Sequence, residues 1–180
     1  MNSILLLGGL LILVLFYLFS IYNKFVTIKT RIKASIQEIG NQLKRQADLI
    51  PNLIASVKGY MKHEKDIFAD ITEARKMVVS AVQTGDAQKM VSASTQVSRA
   101  LAPIRAVFES TPQLQATGTV SKLMDELRDT ADKVMYSRRT LIDLTADYNV
   151  MVAVFPSNLI AKMFNFKQEA GLKMPAETEK

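Results

Sequence analysis

The sequence predicts an all-α protein: a single N-terminal transmembrane helix followed by an antiparallel four-helix bundle with two long and two shorter helices. Three observations predict it. Residues Met1 to Asn23 carry no charged side chain, and Ile4 to Tyr22 is an uninterrupted apolar run of nineteen residues. From Lys24 onward large apolar residues recur at steps of three and four, the spacing of one apolar stripe per helix and of helices packed side by side. No stretch sustains apolar–polar alternation between turn dipeptides, so strands are not expected.

The composition narrows the function classes. A chain of 180 residues is one domain, or one domain with an appendage. With 48% hydrophobic residues, 5 Pro and 7 Gly it is neither disordered nor collagen-like. Zero Cys excludes a disulfide framework, a thiolate nucleophile and a Cys-ligated metal. One His excludes a His-rich metal site and a pair of imidazoles for acid–base work. No nucleophile, base and orienter can be assembled from what remains, so the chain is expected not to be an enzyme and to need no cofactor.

The first element is the anchor, residues 1–23. Its apolar side chains are Ile4, Leu5, Leu6, Leu7, Leu10, Leu11, Ile12, Leu13, Val14, Leu15, Phe16, Leu18, Phe19 and Ile21. Nineteen helical residues span roughly 28 Å, close to the thickness of a bilayer's hydrocarbon core. Tyr17 and Tyr22 sit toward the far end, where amphipathic rings favour the headgroup level. A cleaved signal peptide needs a basic start and a small-residue cleavage site; this chain begins MNSI and runs past Tyr22 into Asn-Lys-Phe-Val, which reads as an uncleaved anchor. Gly8 and Gly9 within it read two ways, as a close-approach face for a second helix or as glycine tolerated against lipid.

The charge falls in one place. Residues 24–62 hold eight Lys/Arg against Glu38 and Asp48, whereas residues 63–180 carry fifteen of each sign. The net charge of +6 therefore sits directly behind the apolar run. A basic stripe beside an anchor reads as a membrane-surface feature rather than a nucleic-acid footprint, and Lys24, Lys29, Arg31 and Lys33 are its candidate headgroup contacts. By the positive-inside tendency the N-terminus is expected outside and the bundle in the cytoplasm.

The bundle is expected over 24–156. Its stripes are Phe25, Ile32, Ile36, Ile39, Leu43 and Ile50; then Leu53, Val57, Tyr60, Ile67, Ile71, Ala74, Val78 and Ala81; then Met90, Ser94, Val97, Leu101, Ile104 and Phe108; and last Val120, Met124, Leu127, Ala131, Val134, Leu141, Tyr148, Val152 and Phe155. Pro51 lies inside the first long helix, expected near 24–62, and should kink rather than end it, because the stripe continues through it. Thr84-Gly85-Asp86 offers a glycine stop and an Asp N-cap. Thr111-Pro112 ends the third helix, Gly118-Thr119 opens the second long one near 119–155, and Phe155-Pro156 closes it. Glu64 and Arg138 each take a step on a stripe; they either pair and fix register or reach solvent at the seam's edge. A short apolar helix is expected over 157–167, with Leu159, Ile160, Met163, Phe164 and Phe166 either capping the bundle or offering an interface, for subunit contact or for membrane insertion. Residues 168–180 lose the pattern and read as a flexible tail.

The stretch Gln42-Leu-Lys-Arg-Gln-Ala-Asp-Leu-Ile-Pro-Asn-Leu53, continued by Val57-Lys-Gly-Tyr-Met-Lys-His-Glu-Lys65, closely resembles the signature of the LemA family. Thr72-Glu-Ala-Arg75, Thr111-Pro-Gln-Leu-Gln-Ala116, Arg138-Arg139, Tyr148-Asn149 and Phe155-Pro-x-Asn-Leu-Ile-Ala161 follow at the family's spacing, and Tyr22-Asn23 resembles the pair behind its anchor. The chain departs from the family pattern at Thr111, Ile36 and Leu141, where aromatic residues are usual, and at Ala131-Asp132, Ala153 and Pro103. The resemblance implies a bacterial, single-pass membrane protein with an antiparallel helical bundle; it supplies no activity and no catalytic residues.

Little else carries chemistry. There is no phosphate-cradling loop. His63-Glu64 lacks a second His at helical spacing, and Asp125, Glu126, Asp129 and Asp132 alternate with Arg128 and Lys133 as a solvated face does. Lys44-Arg45 and Arg138-Arg139 suit either lipid phosphates or plain solubility. The reading is a scaffold or adaptor at the bacterial inner membrane whose partners are the membrane and either copies of itself or another membrane protein, with no nucleic acid. The rival reading is a lipid-headgroup or membrane-shaping module that uses the basic segment 24–62.

Overall fold

The computed structural model describes residues 2–61 and 65–173. Among them are six helices and no strand: α1 (Asn2–Val57), α2 (Lys65–Thr84), α3 (Ala87–Ser110), α4 (Pro112–Ala116), α5 (Gly118–Ala153) and α6 (Ser157–Met163). The all-α class holds. The anchor and the first bundle helix, expected as separate segments, are one helix of 56 residues. Tyr22-Asn23-Lys24-Phe25 contains neither Pro nor Gly, and Asn23 lies in the helix rather than capping it, so the backbone runs on.

The chain divides into two compact units, Met1–Ala34 with Leu141–Gly171 and Ser35–Thr140 with Leu172–Lys180. The second unit has an aliphatic core. Ile39, Leu43, Ile50, Leu53 and Val57 of α1 are fully buried, as are Ile71 and Val78 of α2, Val97 and Ile104 of α3 and Val120 of α5. Val91 and Ala93 are buried as well, while Ser94, placed on the stripe by spacing alone, is half-buried. Two stripe positions fail. Tyr60 is half exposed because α1 ends at Val57 rather than at 62, and Phe155 is 77% exposed because α5 ends at Ala153. Beyond a helix end, steps of three and four no longer track a face.

Local caps follow the sequence. Gly85 takes a positive φ of 67° behind α2, a region that a side chain resists. The Asp86 carboxylate then accepts the Gln88 and Lys89 backbone N–H groups at 2.8 and 3.1 Å, capping α3. Pro112 opens the extra turn α4 at a position where its missing N–H costs nothing.

Pro51 is tolerated inside α1 for a reason that lies in another helix. Its ring removes the N–H that would bond the carbonyl of Ala47, four residues back. Arg75 of α2 supplies the replacement, donating its Nε–H to the Ala47 carbonyl at 2.8 Å. The Pro and the Arg thus act as one device. Gln46, also fully buried, donates from Nε2 to the Leu127 carbonyl of α5 at 3.4 Å, and at the surface beside it Arg45 pairs with Glu126 at 3.3 Å.

Candidate membrane-facing site

The first unit sets a cluster of rings beside its buried aliphatics Ile28, Ile32, Leu141, Leu144 and Ile160. Phe25 of α1, fully buried, meets Tyr148 of α5 edge-on at a centroid distance of 5.7 Å and stacks on Phe166 at 4.8 Å. Tyr22, one turn earlier, meets Phe164 at 4.7 Å and Phe166 at 5.8 Å. Offset and edge-on pairs at these distances add to the stabilisation from burial itself.

Phe166 reaches this cluster because α6 stops early. The helix ends at Met163, not at 167, and Asn165 adopts a left-handed φ of 57°. The Phe166 N–H then bonds the Ala161 carbonyl at 2.8 Å, and the Asn165 N–H bonds that of Lys162 at 3.3 Å. This is a Schellman closure with Asn at the left-handed position, and it folds the chain back so that Phe166 lies on Phe25.

The stretch that follows is held by its main chain. Asn149 of α5 accepts the Glu169 N–H on Oδ1 and donates from Nδ2 to the Glu169 carbonyl, both at 2.9 Å. In the second unit Gln88 grips Lys173 in the same way, at 2.8 and 3.3 Å. Residues 168–173 are therefore irregular but tethered, and residues 174–180 lie outside the described residues. The Glu169 side chain pairs with Lys29 at 3.4 Å. Near this pair the Tyr148 hydroxyl is buried and has no hydrogen-bond partner among the described residues. Burial raises its pKa and Glu169 adds to the rise, while the positive charge of Lys29 opposes it.

The predicted site residues separate into groups. Along the anchor, Leu6, Leu7, Leu10, Leu11, Ile12, Leu13, Val14, Leu15, Phe16 and Phe19 are exposed, while the side chains of Ile4 and Leu5 lie outside the described residues. Gly8 and Gly9 have open space around them. Lys24, Lys29, Arg31 and Lys33 are all exposed. The apolar set behind Pro156 is split: Ile160 is buried and Phe166 half-buried, whereas Leu159, Met163 and Phe164 are 56%, 65% and 50% exposed. Glu64 and its neighbours 62–63 lie outside the described residues, so the proposed pair with Arg138 does too. Arg138 is half-buried and lines a surface groove of about 460 Å³ in the second unit with Arg105, Arg128 and Asp132. Among the described residues no three of His, Asp and Glu converge closely enough to hold a metal ion.

Sequence reasoning missed the two amide clasps and the Arg75 contact, because in each the partner is a backbone atom and leaves no signature in side-chain spacing. The one available cue was Pro51, whose missing N–H announces a carbonyl in need of a donor.

Comparison with known proteins gives a consistent picture. The family model of the LemA family matches residues 35–180. The magnetosome protein MamQ of Magnetospirillum gryphiswaldense is 24% identical over 170 residues, covering 82% of this chain and 62% of the relative. Magnetosome proteins MamQ 2 and MamQ 1 of Paramagnetospirillum magneticum are each 22% identical with the same coverage. This chain thus spans about 62% of the length of these curated relatives.

Proposed function

The chain belongs to the LemA family, and from that membership and its exposed apolar helix we propose that it is a non-enzymatic, single-pass scaffold or adaptor of the bacterial inner membrane. Membrane association itself follows from α1, whose first part is long and apolar enough to cross a bilayer and lies almost wholly unburied. The observation that carries the scaffold reading is the continuity of α1: one helix carries the apolar run and, without a break, the core positions Ile39 to Val57 of the second unit. On this reading the bundle presents its helix faces either to further copies of this chain or to another membrane protein.

The basic flank supports an orientation with the N-terminus outside and the bundle in the cytoplasm, by the positive-inside tendency. A cysteine introduced at Gln168, in a chain with no native cysteine, should resist an impermeant maleimide in intact cells; labelling would reverse the orientation. The scaffold reading is tested by the mass and composition of the protein extracted from native membrane in mild detergent. A large assembly of this chain alone, or a stoichiometric complex with a second membrane protein, supports it. A bare monomer at native abundance refutes it.

The exposure of Lys24, Lys29, Arg31 and Lys33 within ten residues of one helix favours a second reading, a headgroup-binding module. On that reading the attraction to anionic vesicles falls steeply between low and high salt.

A further inference from the structure

We propose that the corner between α5 and α6 is a second membrane contact, a short foot that lies in the headgroup–acyl boundary of the bilayer that α1 crosses. The proposal rests on the reading of α1 as a membrane-spanning helix and names the lipid surface as the occupant of an otherwise bare apolar ridge.

The height of the corner is set by α1. Its first charged residue is Lys24, so the hydrocarbon boundary falls near Tyr22 when the apolar run spans a bilayer. The Tyr22 ring is also what holds the end of α6, through Phe164 at 4.7 Å and Phe166 at 5.8 Å. The Phe25 stack at 4.8 Å and the Schellman closure fix the segment from its other side. At seven residues α6 is about 10 Å long, so none of it lies far from the Tyr22 level. A headgroup layer is itself roughly 5–7 Å deep on each side of the hydrocarbon.

The chemistry of the corner matches that depth. Ser157, Ile160 and Ala161 are buried in the first unit. Beside Lys162, what α6 turns outward is apolar: Leu159 and Met163 one turn apart, with the half-exposed Phe164 following the helix and the exposed Phe155 preceding it. A surface helix in water carries mostly polar side chains there, and a group of large apolar side chains left uncovered among the described residues marks an interaction surface. Lys162 and Lys167 on the same segment, and Lys24 at the same level of α1, are exposed. Their apolar stems lie along such a surface while the ammonium groups reach headgroup phosphates. Continuity with the membrane-spanning helix selects lipid over a second copy of the chain, since the ridge starts at the ring that marks the end of the span.

The chain contains no Trp, so a single introduced indole reports its own surroundings. The full-length protein is reconstituted in phosphatidylcholine–phosphatidylglycerol vesicles whose acyl chains are brominated either near the headgroup or near the methyl end. Leu159→Trp is expected to emit at short wavelength and to lose roughly half or more of its emission to the shallow bromines, the behaviour of a boundary-level ring. Leu11→Trp, inside the span, is expected to be quenched most by the deep bromines. Ala34→Trp, exposed on α1 about 18 Å beyond Tyr22, is expected to emit as a solvated indole, unquenched. Phe155→Trp, an exchange of one ring for another at an exposed position, carries the same readout if Leu159→Trp does not assemble. A solvated, unquenched indole at 159 with quenching intact at 11 overturns the foot and leaves the span standing. Short-wavelength emission at 159 without bromine quenching also overturns it and assigns the ridge to protein contact. Loss of quenching at 11 overturns the span and the foot together.

Discussion

The aromatic core of the first unit and the aliphatic core of the second are built on the same two long helices, α1 and α5, yet they close in different ways. In the second unit the closing surfaces are α2 and α3, whose apolar residues come at helical steps, and the α3 cap is supplied locally by Asp86. In the first unit closure comes from a non-helical return, with Phe166 turned inward by a left-handed Asn165 and the following backbone clasped by Asn149. Periodic packing spreads its energy over many small contacts. Ring packing concentrates it in a few side chains, so the two units should respond differently to single substitutions.

The largest effect is expected at Phe25, whose ring touches both Tyr148 and Phe166 and is fully buried. Phe25→Ala should cost about 3–5 kcal/mol. Hydrogen exchange should accelerate at Leu141–Ala153 and at Glu169 while the α2 and α3 amides keep their protection. Equal loss in both units would mean one cooperative core instead of two.

Next in size is the Arg75–Pro51 device. Arg75→Ala leaves the Ala47 carbonyl without its donor and should destabilise the second unit by about 1–3 kcal/mol. In Pro51→Ala the backbone N–H is restored and Arg75 becomes dispensable, so the double variant should recover most of the loss in a denaturant-midpoint cycle. Additive losses would show that Arg75 contributes through something other than the orphaned carbonyl.

Asp86→Ala removes the α3 cap and is expected to cost about 1 kcal/mol. The change should be read as faster exchange at the Gln88 and Lys89 amides, without effect on the first unit.

The smallest effect at neutral pH is expected for Tyr148→Phe, because the buried hydroxyl has no hydrogen-bond partner among the described residues; stability should change by less than about 1 kcal/mol. The variant separates from the parent at alkaline pH. A phenol whose pKa is raised by folding stays neutral in the native state when the unfolded chain has begun to ionise, so its contribution is complete below the ordinary tyrosine pKa of about 10 and is lost as pH rises above it. Denaturant midpoints of parent and variant should coincide near neutrality and diverge above that value in favour of the variant.

The legible parts of the molecule are those with a period. The stripes from Ile39 to Ile50, from Ile71 to Ala81 and from Val97 to Ile104 are core positions as spaced. The Gly85–Asp86 break is where the residue types put it. Tyr60 and Phe155 failed because they extend a periodic count past the last helical residue. Arg138 and Glu64 fall on the stripes by spacing as well, and spacing does not say whether a seam position is closed over.

The sequence by itself determined that the chain is helical, that its first apolar run is long enough for a bilayer, and where the principal breaks fall. Each of these depends on neighbours within a few residues: hydropathy over one span, side-chain recurrence over two turns, a cap over three positions. Only the tertiary structure decided that Phe166 stacks on Phe25, that Arg75 answers Pro51, and that Ile160 turns inward while Leu159 and Met163 turn out. Those contacts join residues up to 141 positions apart, and the partner of Arg75 is a backbone carbonyl, a group which every residue possesses and no residue type reveals.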